Sequence, residues 1–254
     1  MRSSQIGLQL YTVREQTASD MIGTLRRVAE IGYGAVEFAG WGNTTPRDIL
    51  HVLEAEGVTA IGAHVALVDL ETRPMQVLAE CEIVGCRWVV VPWVPDSWRA
   101  TSADASRLAA RLNDLGELCQ AEGMRLAYHN HEAEFGRLEE GTVWETLIAE
   151  TWPDLVDLEL DAYWASVAGQ DPEIVLRQSM DRVRLMHVKD RAPGLEMRDT
   201  PVGQGTLPWK PIIEEAEISG VEWFIVEQDE PADALKDIET SLFNLRRIAG
   251  LPAD

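Results

Sequence analysis

Residues 121–131, AEGMRLAYHNH, hold the unit from which the fold is read. An amphipathic stretch ends in Gly123, and a short apolar run follows and stops at polar residues. Gly just past a helix end takes the left-handed conformation that closes the last turn without a Cβ clash. The run after it therefore reads as a strand fed directly by a helix. The same unit recurs in EIGYGAVEF, AEGVTAIGAH, IVGCRWVVV and ISGVEWFIVE, around Gly32, Gly57, Gly85 and Gly220. Upstream of Gly123, Leu108, Leu112, Leu115 and Cys119 share one helical face, and Leu235, Ile238, Leu242, Leu245 and Ile248 do so near the end of the chain. Thr45-Pro46 reads as an N-cap followed by proline in the first turn.

Three further strand-like runs, IGLQLYTV, LVDLELD and VRLMHVKD, bring the count to eight, each followed by a helical stretch. One unit averages about 32 residues, which suits a (β/α)8 TIM barrel of about 250 residues. Alternating β and α segments imply a parallel sheet. An open doubly wound sheet is the rival, but it carries a glycine-rich phosphate turn after its first strand. Here Thr12-Val13-Arg14-Glu15 stands in that place. With no linker, low-complexity segment or charge block, residues 1–254 are expected to form a single α/β barrel domain.

The balance of 22 Lys and Arg against 43 Asp and Glu gives a formal charge of −21. Such an excess of acid opposes a nucleic-acid groove, where phosphates require cations, and docking on an anionic membrane. Cys81, Cys86 and Cys119 show no zinc-ribbon or CxxC spacing, which fits free thiols in a reducing compartment. No apolar signal core opens the chain and no run approaches the roughly 20 residues of a bilayer span. A soluble cytoplasmic protein is the expectation.

The rim at the strands' C-terminal ends is where such barrels carry their chemistry. In order, the strand ends bring Glu37, His64, the run Tyr128-His129-Asn130-His131, Asp161, His187 with Lys189, and Glu227. Four of the five histidines stand there, whereas His51 lies mid-helix. Burying this many ionisable groups at one mouth costs several kcal/mol per unpaired charge, and a divalent cation is the simplest compensation. Imidazole with carboxylate suits Mn, Zn, Fe or Co better than Ca. His129 and His131 are two apart and face the same side, so alternation leaves open which of them is a ligand. Glu159 shares a face with Asp161 but lies deeper, where it is expected to pair inside the barrel. Trp41, Trp93, Trp98 and Trp164 follow strand ends, and Trp209 lies after strand 7. A tryptophan face stacks on the C–H face of a sugar, or else caps the barrel or fills an interface.

The segments LQLYTVR, GYGAVEFAG, LAYHNHEAEF, LDAYW, HVKD and PVGQGTLPW resemble the sugar phosphate isomerase/epimerase family of xylose isomerase-like TIM barrels, from about residue 6 to residue 249. The resemblance implies one divalent metal ion, Mn or Zn in first place with Mg, Co or Fe as further options. It places the ligands at His129, Asp161, His187 and Glu227. Related ketose 3-epimerases carry glutamate where His129 stands, so a mechanism with two glutamates on opposite faces of the substrate does not transfer directly. His131, Glu134 and Lys189 become candidates for the missing acid/base role. Endonuclease IV shares the barrel, but its richer His/Glu set for three zinc ions and its grip on DNA fit neither the charge nor the few histidines here.

The activity so implied is sugar isomerisation or epimerisation by proton abstraction beside a carbonyl, through an enediolate. The catalytic candidates are Glu227 as first base, His131 as second, and Lys189 for developing negative charge. The substrate-binding candidates are Glu37, His64, His131, Trp93 and Trp164. Two alternatives stand beside it: an inosose-type or keto-sugar dehydratase on the same metal site, and a sugar-binding barrel without catalysis. The expected partner is a small sugar or keto-sugar, with neither nucleic acid nor membrane involved and with room for a homodimer.

Overall fold

The computed structural model describes residues 1–179, 181–194 and 196–252. Its eight barrel strands are β1 (Ile6–Gln9), β2 (Ala35–Phe38), β3 (Thr59–His64), β4 (Trp88–Val91), β5 (Arg125–His129), β6 (Val156–Asp161), β7 (Val183–Val188) and β8 (Trp223–Val226). They close in the order β1-β8-β7-β6-β5-β4-β3-β2, every neighbouring pair parallel. The main surrounding helices are α1 (Arg14–Ile31), α2 (Pro46–Glu56), α3 (Leu67–Thr72), α4 (Pro74–Val84), α5 (Ser102–Ala121), α6 (Val143–Glu150), α7 (Ala162–Val167), α8 (Pro172–Gln178), α9 (Trp209–Ile218) and α10 (Ala234–Ile248). Among the described residues no helix is long and apolar enough to cross a membrane.

The local signals act as read. Gly57 ends α2 at φ +66° and Gly85 ends α4 at φ +87°. Thr45 Oγ1 accepts from the Asp48 N–H, with Pro46 opening α2. The first strand is shorter than the apolar run IGLQLYTV. It stops at Gln9, because Gln9 Oε1 takes the Tyr11 N–H and the chain turns into a 3-10 segment, Leu10–Val13.

Most of the core lies between the barrel and its helices, with Leu8, Phe38, Val89, Leu108, Leu112 and Leu245 all buried there. A smaller apolar cluster fills the barrel itself: Ala35, Ile61, Trp88, Val90, Ala127, Leu185 and Ile225. Gly7 makes room for it, since a Cβ there would lie 2.3 Å from Ile61 Cδ1. Below, Trp88 Nε1 donates to Asp157 Oδ2 at 2.7 Å, and Arg125 pairs with the same carboxylate. This plug makes the barrel solid, so ligands reach it only from the mouth. The register of β2 against β3 slips between Val36 and Glu37, and that of β6 against β7 between Leu158 and Glu159. The first slip explains how Ile61 and His64, three residues apart, both reach the barrel interior.

Candidate metal and active site

Strand pairing sets the site. His129 lies level with Glu159 and Asp161 with His187, so these side chains project into the barrel at its upper end. Glu227 follows the last residue of β8. One donor atom from each of His129, Asp161, His187 and Glu227 lies within 4.8 Å of the others, and all four residues are buried. His187 Nδ1 is 2.8 Å from Glu227 Oε2 and 4.0 Å from Asp161 Oδ2. Two imidazole nitrogens and two carboxylate oxygens from four strands form a donor set that fits a divalent transition metal.

Lys189 lies wholly buried beside this set. Its Nζ is 2.6 Å from Asp229 Oδ2, 3.1 Å from Glu227 Oε2 and 3.4 Å from Asp161 Oδ2. It also sits 5.4 Å from the ring centroids of Tyr163 and Trp164. Burial disfavours its charge, but the three carboxylates outweigh burial and hold its pKa well above the ordinary range. In Glu227, burial opposes ionisation; Lys189 and His187 overcome it and keep the carboxyl far below its usual pKa. Asp161 goes the other way, pushed by burial from 3.8 to about 7. Burial depresses His129 strongly and His131 as well, so both rings are neutral at pH 7.

Beneath the four donors lies a second layer. Burial opposes a proton on His64, but Glu37 and Glu159 outweigh it and raise the pKa to about 10. His64 Nε2 is 2.9 Å from Glu159 Oε2 and 3.2 Å from Glu37 Oε2. Its donor atom also lies within 4.8 Å of donors from His129, Glu159 and His187. The pairing of Glu159 inside the barrel is thus as the sequence suggests.

Above, a cavity of about 590 Å³ opens, with Tyr11, Trp93, His131, Lys189 and Glu227 on its walls. His64 and His129 also reach it. Trp93 is 51% exposed there. Trp164 packs on His131 at 5.3 Å between ring centroids. Glu37 differs from its expected place at the substrate: it is wholly buried and is not on the cavity wall. Glu134 differs too. Its carboxylate accepts from Tyr128 Oη, Arg99 Nη1 and the His131 backbone N–H, so it anchors the turn after β5. His51 is exposed on α2, Trp41 Nε1 donates to Glu80, and Trp209 is buried at the start of α9.

Sequence reading missed Gln9 and Asp229. Gln9 Nε2 donates to Glu37 Oε2 at 2.8 Å. A lone amide inside the apolar run of β1 was its signal. Asp229 stands two residues after Glu227, and that spacing was enough to suggest a shared face.

Comparison with known proteins agrees with this fold. Over 206 residues the chain is 28% identical to the inosose dehydratase of Lacticaseibacillus casei, a match covering 74% of this chain and 62% of the relative's length. A crystal structure of a sugar phosphate isomerase/epimerase from Parabacteroides distasonis superposes with a TM-score of 0.82 at 24% identity, covering 96% of this chain and 94% of the other. The IolI protein, crystallised with a zinc atom, superposes with a TM-score of 0.78 at 14% identity, covering 97% of this chain and 98% of the other. The family model for the xylose isomerase-like TIM barrel matches residues 25–247, and the chain belongs to that family.

Proposed function

We propose that this protein is a divalent-metal-dependent lyase that dehydrates a keto-polyol, an inosose or a keto-sugar, by removing the proton beside its carbonyl and expelling a hydroxyl from the next carbon. The observation that carries the reading is one mouth that joins three things: the four-donor set, a neutral imidazole at His131 and the buried ammonium of Lys189. The inosose dehydratase relative supports the substrate class.

His129, Asp161, His187 and Glu227 would hold the ion, Mn or Zn by donor chemistry. Bound there, a divalent ion supplies Lewis acidity toward a carbonyl and its neighbouring hydroxyl. His131 takes the proton from the carbon beside the carbonyl, a task suited to a neutral imidazole. As imidazolium it hands that proton to the departing hydroxyl, which leaves as water, and the ring returns to neutral. Lys189 donates hydrogen bonds to the oxygen that gains negative charge. Trp93 offers a flat apolar face to the substrate's C–H groups, and Trp164 holds His131 in place.

Isomerisation or epimerisation is the second reading, and it shares the first step. The ionised Glu227 carboxylate on the same cavity favours it, as a second group able to carry the proton back to carbon.

The test is a metal-replete incubation with keto-inositols, ketoses and 3-keto-glycosides in heavy water, read by mass. Loss of water supports dehydration. Deuterium uptake without that loss selects the isomerase reading. Binding with neither change would leave only a sugar-binding barrel. Elemental analysis should find a transition metal in the wild type and none in Asp161→Ala or His187→Ala.

A further inference from the structure

The layer beneath the four donors takes no part in the steps above, yet its bonds are directional. Glu37 Oε2 lies 2.9 Å from His187 Nε2 and is itself held by Gln9 Nε2. Glu159 Oε2 lies 2.9 Å from His129 Nδ1 and 3.3 Å from His187 Nε2. Both carboxylates are wholly buried, and each sits immediately after a slip in strand register. In each case the extra residue is on the partner strand, Ile61 in β3 and Arg184 in β7, so the slips re-aim His64 and His187 toward the two carboxylates.

A carboxylate oxygen that accepts a hydrogen bond from an imidazole N–H selects the tautomer with the proton on that nitrogen. A protonated ring nitrogen has no lone pair for a metal. That leaves His187 to ligate through Nδ1, whose carboxylate neighbour Glu227 belongs to the four-donor set and would share the ion with it, and His129 through the nitrogen that Glu159 does not engage. We propose that Glu37 and Glu159 are positioning residues that fix the tautomer and ring orientation of His187 and His129 for one ion in the four-donor set. The inference rests on that set as the proposed function assigns it.

A rival reading takes the inner layer as a second cation site, since donors of His64, His129, Glu159 and His187 also lie within 4.8 Å of one another, and Glu37 Oε1 and Glu159 Oε1 are buried without a partner. Against it, the inner set shares His129 and His187 with the outer one. The nitrogens turned toward the inner carboxylates, His129 Nδ1 and His187 Nε2, are the ones already engaged by them in hydrogen bonds.

The whole chain, stripped of metal, is titrated with Co(II) against a chelator and followed through the visible cobalt bands, with circular dichroism as the check on folding. The wild type should bind one ion. Glu37→Gln and Glu159→Gln should still bind one, about 10–100-fold more weakly and with shifted bands, as for other partners of ligating histidines. Glu37→Leu, which removes the acceptor, should bind more weakly than Glu37→Gln, a grading that a merely structural role does not predict. Wild-type affinity and spectrum in both Gln variants would overturn the proposal. So would two ions per wild-type chain falling to one in Glu159→Gln, the result the inner site predicts. Undiminished binding by His187→Ala would remove the four-donor set as well, which separates that failure from the other two.

Discussion

Lys189 Nζ and Asp229 Oδ2 lie 2.6 Å apart at the mouth of the barrel, and the lysine is wholly buried. With Glu227 at 3.1 Å and Asp161 at 3.4 Å, one ammonium serves three carboxylates. Truncating the cation would leave them facing one another in a poorly hydrated pocket.

Lys189→Met should therefore destabilise the metal-free protein by about 3–5 kcal/mol, the usual cost of breaking a buried ion pair by removing one partner. A divalent cation should restore part of that loss, because it takes up the charge of Asp161 and Glu227. Thermal melts with and without Mn or Zn read both effects. A variant as stable as the wild type without metal would show that these carboxylates do not depend on Lys189.

Asp161 gives the metal-free protein a defined pH response. Its folded-state pKa of about 7 stands above the ordinary 3.8, so the carboxylate is disfavoured on folding. The stability tied to its neutral form is present below about pH 4 and is lost as the pH rises through about 7. The difference in unfolding free energy between wild type and Asp161→Asn should change in that window, with the variant gaining on the wild type toward pH 8. Denaturant melts in the presence of a chelator, from pH 4 to 8, measure it, and a flat difference would refute the assignment.

Trp93 is half exposed on the cavity wall and contributes little packing. Trp93→Ala should leave the melting temperature nearly unchanged and raise KM by roughly 3–10-fold, the worth of one aromatic contact of about 0.5–1.5 kcal/mol. Steady-state kinetics on the substrate found by the mass screen decide it. An unchanged KM would place the sugar elsewhere in the cavity.

Asp190 organises the segment after β7. Its carboxylate accepts backbone N–H groups from Arg191, Gly203, Gly205 and Leu207. A Cβ on Gly205 would lie 2.2 Å from Asp190 Oδ1. Gly205→Ala and Asp190→Ala should each cost about 1–3 kcal/mol, in the second case because four partly buried N–H groups lose their acceptor. Urea unfolding should report both, and proteolysis should cut first within residues 191–207.

Much of this was legible in the sequence because the signals are local. The glycine that ends a helix at Gly57 or Gly85 and the apolar run that follows follow from backbone sterics and the period of a strand. So does the gathering of Glu37, His64, His129, His131, Asp161, His187 and Glu227 toward one end of a barrel, once eight strands are counted, whereas the choice of four ligands among them came from the family resemblance. The limits are equally physical. Alternation assigns a residue to a side of the sheet; depth and partner depend on strand stagger. Glu37 reads as a rim residue by position, yet the bond from Gln9 and its contacts with His64 and His187 hold it below the cavity. Glu134 reads as a candidate acid by proximity to His131, yet Arg99, far away in sequence, claims its carboxylate.

The choice between His129 and His131 shows the division most directly. Both face inward, and no rule of spacing separates them. In the folded barrel, Glu159 from the neighbouring strand meets His129 Nδ1, while His131 stands higher, against Trp164. The sequence by itself determined the barrel, the polar rim and the kinds of donor. Tertiary structure alone decided depth, ring orientation and which nitrogen meets which carboxylate, because those depend on contacts between strands whose relative stagger no single strand encodes.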